Sequence, residues 1–181
     1  MNVARPIAPV TLEEFEQMDK DVRMDYELID SVVMMSPRPT VGHQMISGNL
    51  YYQLRKLLNN NECIPIQEVD LLLESNLFEP DLLVICDKID DLINLKRYEK
   101  VPLIAIEIVS PSTSSRDYIV KRHKYEALGI KEYWIISPEE KCITIFDFTE
   151  ATHKMYCTGE VQSNMIPEIR IPLSDIFYDA K

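Results

Sequence analysis

Two short apolar runs, each broken by a single acid, constrain this chain more than any other feature. The first is Pro80-Asp81-Leu82-Leu83-Val84-Ile85-Cys86 and the second is Leu103-Ile104-Ala105-Ile106-Glu107-Ile108-Val109. Runs this short and this rich in β-branched residues read as strands buried on both faces. A carboxylate inside such a strand is costly unless something neutralises it. Two of them in neighbouring strands would also repel each other. A cation between them removes both penalties, and a basic segment (Arg116, Lys121, Arg122, Lys124) follows at once. The pattern points to a pair of acids built to hold a metal ion.

The rest of the chain supplies a frame for these strands. Thr11-Leu12-Glu13-Glu14 has capping-box spacing and starts a short helix with Phe15 and Met18 inward. Arg23 to Met35 reads as a hairpin turning at Asp30-Ser31, with Ser36-Pro37-Arg38-Pro39 breaking its second strand. Thr40 caps a long helix whose Ile46, Leu50, Leu54, Leu57 and Leu58 recur at the helical period, and Asn59-Asn60-Asn61 ends it. A strand is expected through Glu68–Leu73, then the Asp81 strand, a charged loop or short helix over 87–100, and the Glu107 strand. The polar stretch Ser110–Ser115 leads into a helix from Arg116 to Leu128 with Ile119, Val120, Tyr125 and Leu128 inward, stopped by Gly129. Strands at 132–136, 142–148, 153–157 and 168–171 and a terminal helical turn at 173–177 complete the series. This order gives a mixed α/β domain with one central sheet, a single domain over 1–181 with its core at about 12–177.

Composition narrows the function. The 181 residues suffice for one sizeable core, and 46% of them are hydrophobic, too many for a largely disordered chain. No apolar run approaches a membrane span, and the N-terminus lacks the pattern of a signal peptide. Cys63, Cys86, Cys142 and Cys157 are scattered, and three lie in apolar runs, so buried reduced thiols in a cytoplasmic protein are expected rather than a disulfide framework or zinc site. A net charge of −11 argues against a non-specific nucleic-acid coat protein. Yet between Lys96 and Lys131 eight basic residues face four acids, a local +4 that leaves about −15 for the remainder. A helix with a solvated basic face explains that asymmetry as well as a binding site does.

Phosphodiester cleavage needs an activated water, neutralised phosphate charge and help for the leaving oxygen. Mg²⁺ (or Mn²⁺) held by one or two carboxylates can serve all three. Asp81 and Glu107 offer hard oxygens from rigid strands, the Ile108 carbonyl a further one, and Lys121 an amine to orient or deprotonate the water. Each has a plainer alternative. Asp81 at a strand start can accept backbone hydrogen bonds, Glu107 can sit in a structural ion pair, and Lys121 can be a solvated helix lysine. Tyr125 and Trp134 read as core residues.

A resemblance sharpens the choice. Glu27-Leu28-Ile29-Asp30, Glu79-Pro80-Asp81-Leu82, Glu107-Ile108-Val109-Ser110-Pro111-Ser112-Thr113, Asp117 with Lys121 and Tyr125, and Gly129 through Pro138 together resemble the bacterial putative restriction endonuclease family. That family was long catalogued as a domain of unknown function within the PD-(D/E)XK nucleases. The likeness spans roughly Leu12 to Phe177 and implies a restriction-endonuclease-like fold, a central mixed β-sheet flanked by helices. It also implies that Asp81 is the motif aspartate and Glu107 the motif acid. The superfamily's usual lysine, two places after that acid, is Val109 here, and Lys121 matches the position to which the family moves it. Glu27 and His43 match recurring family positions, as aids to metal or phosphate binding. Ser31 stands where the family usually has glycine.

The expectation is therefore a Mg²⁺-dependent restriction-type endonuclease acting on DNA, with RNA still open, no organic cofactor, no membrane partner, and a homodimer to cut both strands. The rival is a non-catalytic nucleic-acid- or protein-binding protein that keeps the fold. Convergence of Asp81, Glu107 and the Lys121 amine on one open pocket favours the enzyme. A solvated Lys121, with Glu107 closed off by an arginine, favours the rival.

Overall fold

The computed structural model describes residues 8–59, 62–110 and 116–177. Its first elements follow local sequence closely. Helix α1 (Leu12–Gln17) begins at a complete capping box between Thr11 and Glu14 and buries Phe15, while Met18 caps its end in solvent. Strands β1 (Met24–Ile29) and β2 (Val32–Pro37) pair antiparallel across a two-residue turn. Asp30 and Ser31 both take positive φ (52° and 61°), as the twist of such a hairpin demands. The second strand runs on to Pro37, because an edge strand has no ladder bond for that proline to break.

Helix α2 (Val41–Leu57), capped by Thr40, buries Ile46, Leu50 and Leu54. The strand expected over 68–73 is shortened to Leu71–Leu73, and a separate strand precedes it. Strand β3 (Ile64–Gln67) ends where Glu68 adopts φ 48°, the chain changes sheets, and β4 (Leu71–Leu73) makes a hairpin with β5 (Asn76–Phe78). Then come β6 (Leu82–Ile85), a short helix α3 (Ile89–Leu92) and β7 (Ile104–Ile108). A wide π-helical stretch, Arg116–Lys121, leads into α4 (Arg122–Ala127). Gly129 ends that helix at φ 92°. The chain closes with β8 (Glu132–Ser137), β9 (Cys142–Asp147), β10 (Thr152–Tyr156), β11 (Glu160–Gln162), β12 (Arg170–Pro172) and a 3₁₀ turn, Leu173–Asp175.

The central sheet has the order β10-β9-β8-β7-β6-β3, mixed because β7 and β8 run parallel while every other neighbour is antiparallel. Both faces are dry at the central strands β6, β7 and β8, which is why these read as unbroken apolar runs. On one face Leu82, Val84, Ile104, Ile106, Trp134 and Ile136 pack with α2 and the C-terminal segment. On the other, Leu83, Ile85, Ala105, Tyr133 and Ile135 pack with Tyr125 of α4 and with Ile29 and Phe78 of a second sheet, β2-β1-β5-β4. Beyond that sheet lies α1, with Phe15 against Leu28 and Leu77.

Two further expectations are overturned. The cysteines are not free thiols: Cys63 bonds Cys86 and Cys142 bonds Cys157. Spacing concealed this because the partners meet across strands. Ile64 pairs with Ile85 and Ile143 with Tyr156, which sets each bridge one residue further along its antiparallel ladder. The helix after residue 115 packs Val120, Tyr125 and Leu128 on the core as expected, but not Ile119. Ile119 is exposed, and Asp117, Lys121 and Tyr125 are the buried set. The part of the polar stretch at 111–115 lies outside the described residues. No helix among the described residues is long and apolar enough to cross a membrane.

Candidate active site

Register brings the two acids together. Leu82 pairs with Ile106, so Asp81, just before β6, stands opposite Glu107 in β7, and both point to the face covered by α4 and the second sheet. Asp81 is anchored there, its Oδ2 accepting the Ile108 N–H at 2.7 Å. This is the backbone role that its strand-start position allows, and it leaves the carboxylate beside the Ile108 carbonyl. Asp81, Glu107, Ile108 and Lys121 all line one cleft of about 1630 Å³.

Glu107 is nearly inaccessible (5% exposed) and would be untenable alone. Its Oε1 accepts from Lys121 Nζ at 2.7 Å and from the Tyr125 hydroxyl at 3.0 Å. The partners sit at positions four apart on the helical segment that covers the strand. Val109, where the superfamily lysine usually lies, is packed in the core, so the amine reaches Glu107 from the helix instead. Lys121 is 1% exposed. Its Nζ also lies 2.8 Å from Glu27 Oε1 and 3.6 Å from Asp117 Oδ1. Burial opposes its charge, but Glu107, Glu27 and Asp117 outweigh burial and push its pKa up. Lys121 is therefore a fixed cation, suited to stabilising charge rather than to taking a proton.

Glu107 shifts upward too, chiefly by burial, with Lys121 pulling the other way and Asp117, Asp81 and Glu27 adding to the rise. The two upward shifts are compatible. Three buried acids (Glu27, Glu107, Asp117) share two cations, Lys121 and Arg116, which leaves one negative charge for a proton or a metal ion to balance. Glu27 belongs to this cluster from β1, and its Oε1 also accepts the Glu79 N–H at 2.9 Å.

His43, in the first turn of α2, enters from the opposite layer. Its Nε2 lies 3.1 Å from the Ile108 carbonyl oxygen and 3.2 Å from Asp81 Oδ1. A carbonyl can only accept, so Nε2 carries the hydrogen. Burial lowers the His43 pKa, but Asp81 and the Ile108 carbonyl more than compensate and the net shift is upward. The imidazole thus contacts two of the expected metal ligands, Asp81 and the Ile108 carbonyl.

The residues fit a hard divalent cation in kind. Mg²⁺ keeps several waters and needs only one or two carboxylates, and the donors here are Asp81, Glu107 and a carbonyl. Glu107 Oε2 makes no hydrogen bond among the described residues. Those residues include no group of three or more His, Cys, Asp and Glu side chains ready to cage a metal.

Sequence reading missed several participants. Tyr125 is core, as expected, but it is also a direct partner of Glu107. Asp117 entered the sequence reading only through the family motif and Arg116 only through the basic segment, neither with a role at the site. The basic segment is less concentrated at the cleft than its sequence suggests, because Arg97 pairs with Glu16 and Glu99, Lys100 with Asp87, and Lys124 with Asp30.

A cleft at the ends of two central strands of a mixed sheet, with paired strand acids and a buried lysine, defines a nuclease-like class. The Uma2 family, described as putative restriction endonuclease, matches residues 12–172, and the chain belongs to that family. It is similar in structure to a putative nuclease belonging to DUF820 from Anabaena variabilis. The TM-score is 0.79 at 17% identity, covering 93% of this chain and 98% of the other. That likeness speaks for the fold. No curated protein matches the chain.

Proposed function

We propose that this protein is a Mg²⁺-dependent endonuclease of the restriction type that hydrolyses phosphodiester bonds in DNA. The observation that carries the reading is the convergence of Asp81, Glu107 and the Lys121 amine on one open cleft. Among the described residues Glu107 pairs with Lys121 and with no arginine, and Lys121 is far from bulk solvent. The family described above adds to it. Asp81, Glu107 and the Ile108 carbonyl would hold Mg²⁺ or Mn²⁺, which supplies an activated water and neutralises phosphate charge. Lys121 holds a positive charge beside Glu107 and stabilises negative charge as it develops on the phosphate. Tyr125 and Glu27 fix Lys121 and Glu107 in place, and His43 orients Asp81 against the β7 backbone. A cut through both strands needs two such sites, so the active form is a homodimer. A cytoplasmic location goes with a DNA substrate; the cysteines do not argue for it.

The reading is tested by incubating pooled genomic DNA with wild type and Glu107→Gln in Mg²⁺, in Mn²⁺ and in EDTA. Cleavage is expected only from wild type with metal. Cleavage that persists in Glu107→Gln or in EDTA would remove this site from the reaction. Cleavage of RNA alone would redirect the substrate.

A further inference from the structure

The cleft has a surplus of acids, and a phosphate entering it must be met by a cation with unspent donors. Lys121 is already bonded to Glu107 and Glu27. Arg38 lies largely in solvent, its side chain 61% exposed, and its Nε is taken up by Asp25 at 3.1 Å and by the Val22 carbonyl. Arg116 is different. Its Nη2 lies 3.5 Å from Glu27 Oε2 and its Nε 3.7 Å from Asp117 Oδ1, both longer than the roughly 3.2 Å limit of an N–H···O bond. Its Nε is buried and makes no hydrogen bond among the described residues, and the side chain, 16% exposed, lines the cleft with Lys121. A buried donor left unmade is unfavourable and calls for an explanation. The wide i→i+5 winding of Arg116–Lys121 turns both cations of that segment toward the acids.

Building on the nuclease reading of this cleft, we propose that Arg116 is the group that grips the substrate phosphate, its guanidinium fork taking two phosphate oxygens. Glu27 and Asp117 hold the guanidinium in place by charge without using up its N–H groups. The planar fork matches two oxygens of a phosphate as a lysine cannot.

Binding is measured in EDTA for wild type, Arg116→Gln and Arg116→Lys, each checked by thermal melting. The probes are inorganic phosphate by calorimetry and a random-sequence DNA duplex by fluorescence anisotropy over a range of salt. Arg116→Gln should weaken both probes about tenfold or more and reduce the slope of log affinity against log salt by about 0.9, the value for one lost phosphate contact. Arg116→Lys should keep the slope but bind several-fold more weakly. An Arg116→Gln protein with wild-type affinity and slope overturns the proposal. Should that variant fail to fold, Arg116→Lys binding as tightly as wild type overturns it instead. So does a wild type that holds neither probe. Binding of phosphate through Arg116 with no binding of DNA keeps the anion site and removes the nucleic-acid reading.

Discussion

Replacing Lys121 with methionine removes one charge from the buried cluster while nearly preserving side-chain volume. In the native protein the amine lies within 3.6 Å of three carboxylates, two of them at 2.7 and 2.8 Å. Without it, Glu27, Glu107 and Asp117 face Arg116 alone, and Arg116 holds them only at 3.5 Å or more. Breaking a buried ion pair by removing one partner costs about 3–5 kcal/mol. In a chain of 181 residues each kcal/mol moves the midpoint by about 2–4 °C, so Lys121→Met should melt about 10 °C below wild type at pH 8. The loss should shrink as pH falls toward 5. Glu107 already binds its proton above the ordinary carboxylate range, and protonation relieves the repulsion. The double variant Lys121→Met/Glu107→Gln should recover about 1–2 kcal/mol of the loss, the coupling expected of contacting groups. Circular-dichroism melts of the three proteins in EDTA, at pH 8 and pH 5, provide the test. A Lys121→Met protein that melts with wild type at pH 8 would refute the reasoning, since the amine could not then be buried among the acids.

Three further outcomes follow from the structure. Burial, followed by the charges of Asp25, Asp70 and Glu27, raises the Glu79 pKa to about 7, so ionising it opposes folding and its effect grows as pH rises from about 4.5 through 7. After discounting for partial exposure, Glu79→Gln should stabilise the protein by about 1–2 kcal/mol at pH 8 and not at pH 4, read from urea melts in EDTA. Ser31→Gly relieves a left-handed residue in the β1–β2 turn and should add about 0.5–1 kcal/mol, with no gain counting against that turn geometry. The bridges close loops with separations of 23 and 15 residues, and on a chain-entropy account their reduction should cost about 3 kcal/mol each. Thiol titration of unreduced protein should find no free cysteine, and a count of four would contradict both bridges.

How legible all this was in the sequence depends on range. Strands β6 and β7 were readable because both their faces are dry, so composition alone marks them. The α1 and α2 caps were readable because Thr11 and Thr40 act within three residues of themselves. The two acids declared themselves by standing in apolar runs. What failed was non-local. Cys63 and Cys86 are neighbours only through the β3–β6 register, and nothing in a one-dimensional spacing encodes it. One inward position of the segment after residue 115, Ile119, was misjudged for a physical reason. An apolar rule selects Ile119, whereas the fold needs Asp117 and Lys121 inside to balance Glu107 and Glu27. Glu68 hid a change of sheet, because a positive φ at a non-glycine residue leaves no compositional mark.

The central claim is that Asp81 and Glu107 form a cation site, and calorimetric titration of Mg²⁺ and Mn²⁺ tests it most directly. Wild type, Asp81→Ala and Glu107→Ala are titrated side by side after melting curves show that all three are folded. The account predicts binding by wild type that both substitutions abolish. Heat that neither substitution changes would contradict the metal site, and with it the nuclease mechanism built on it.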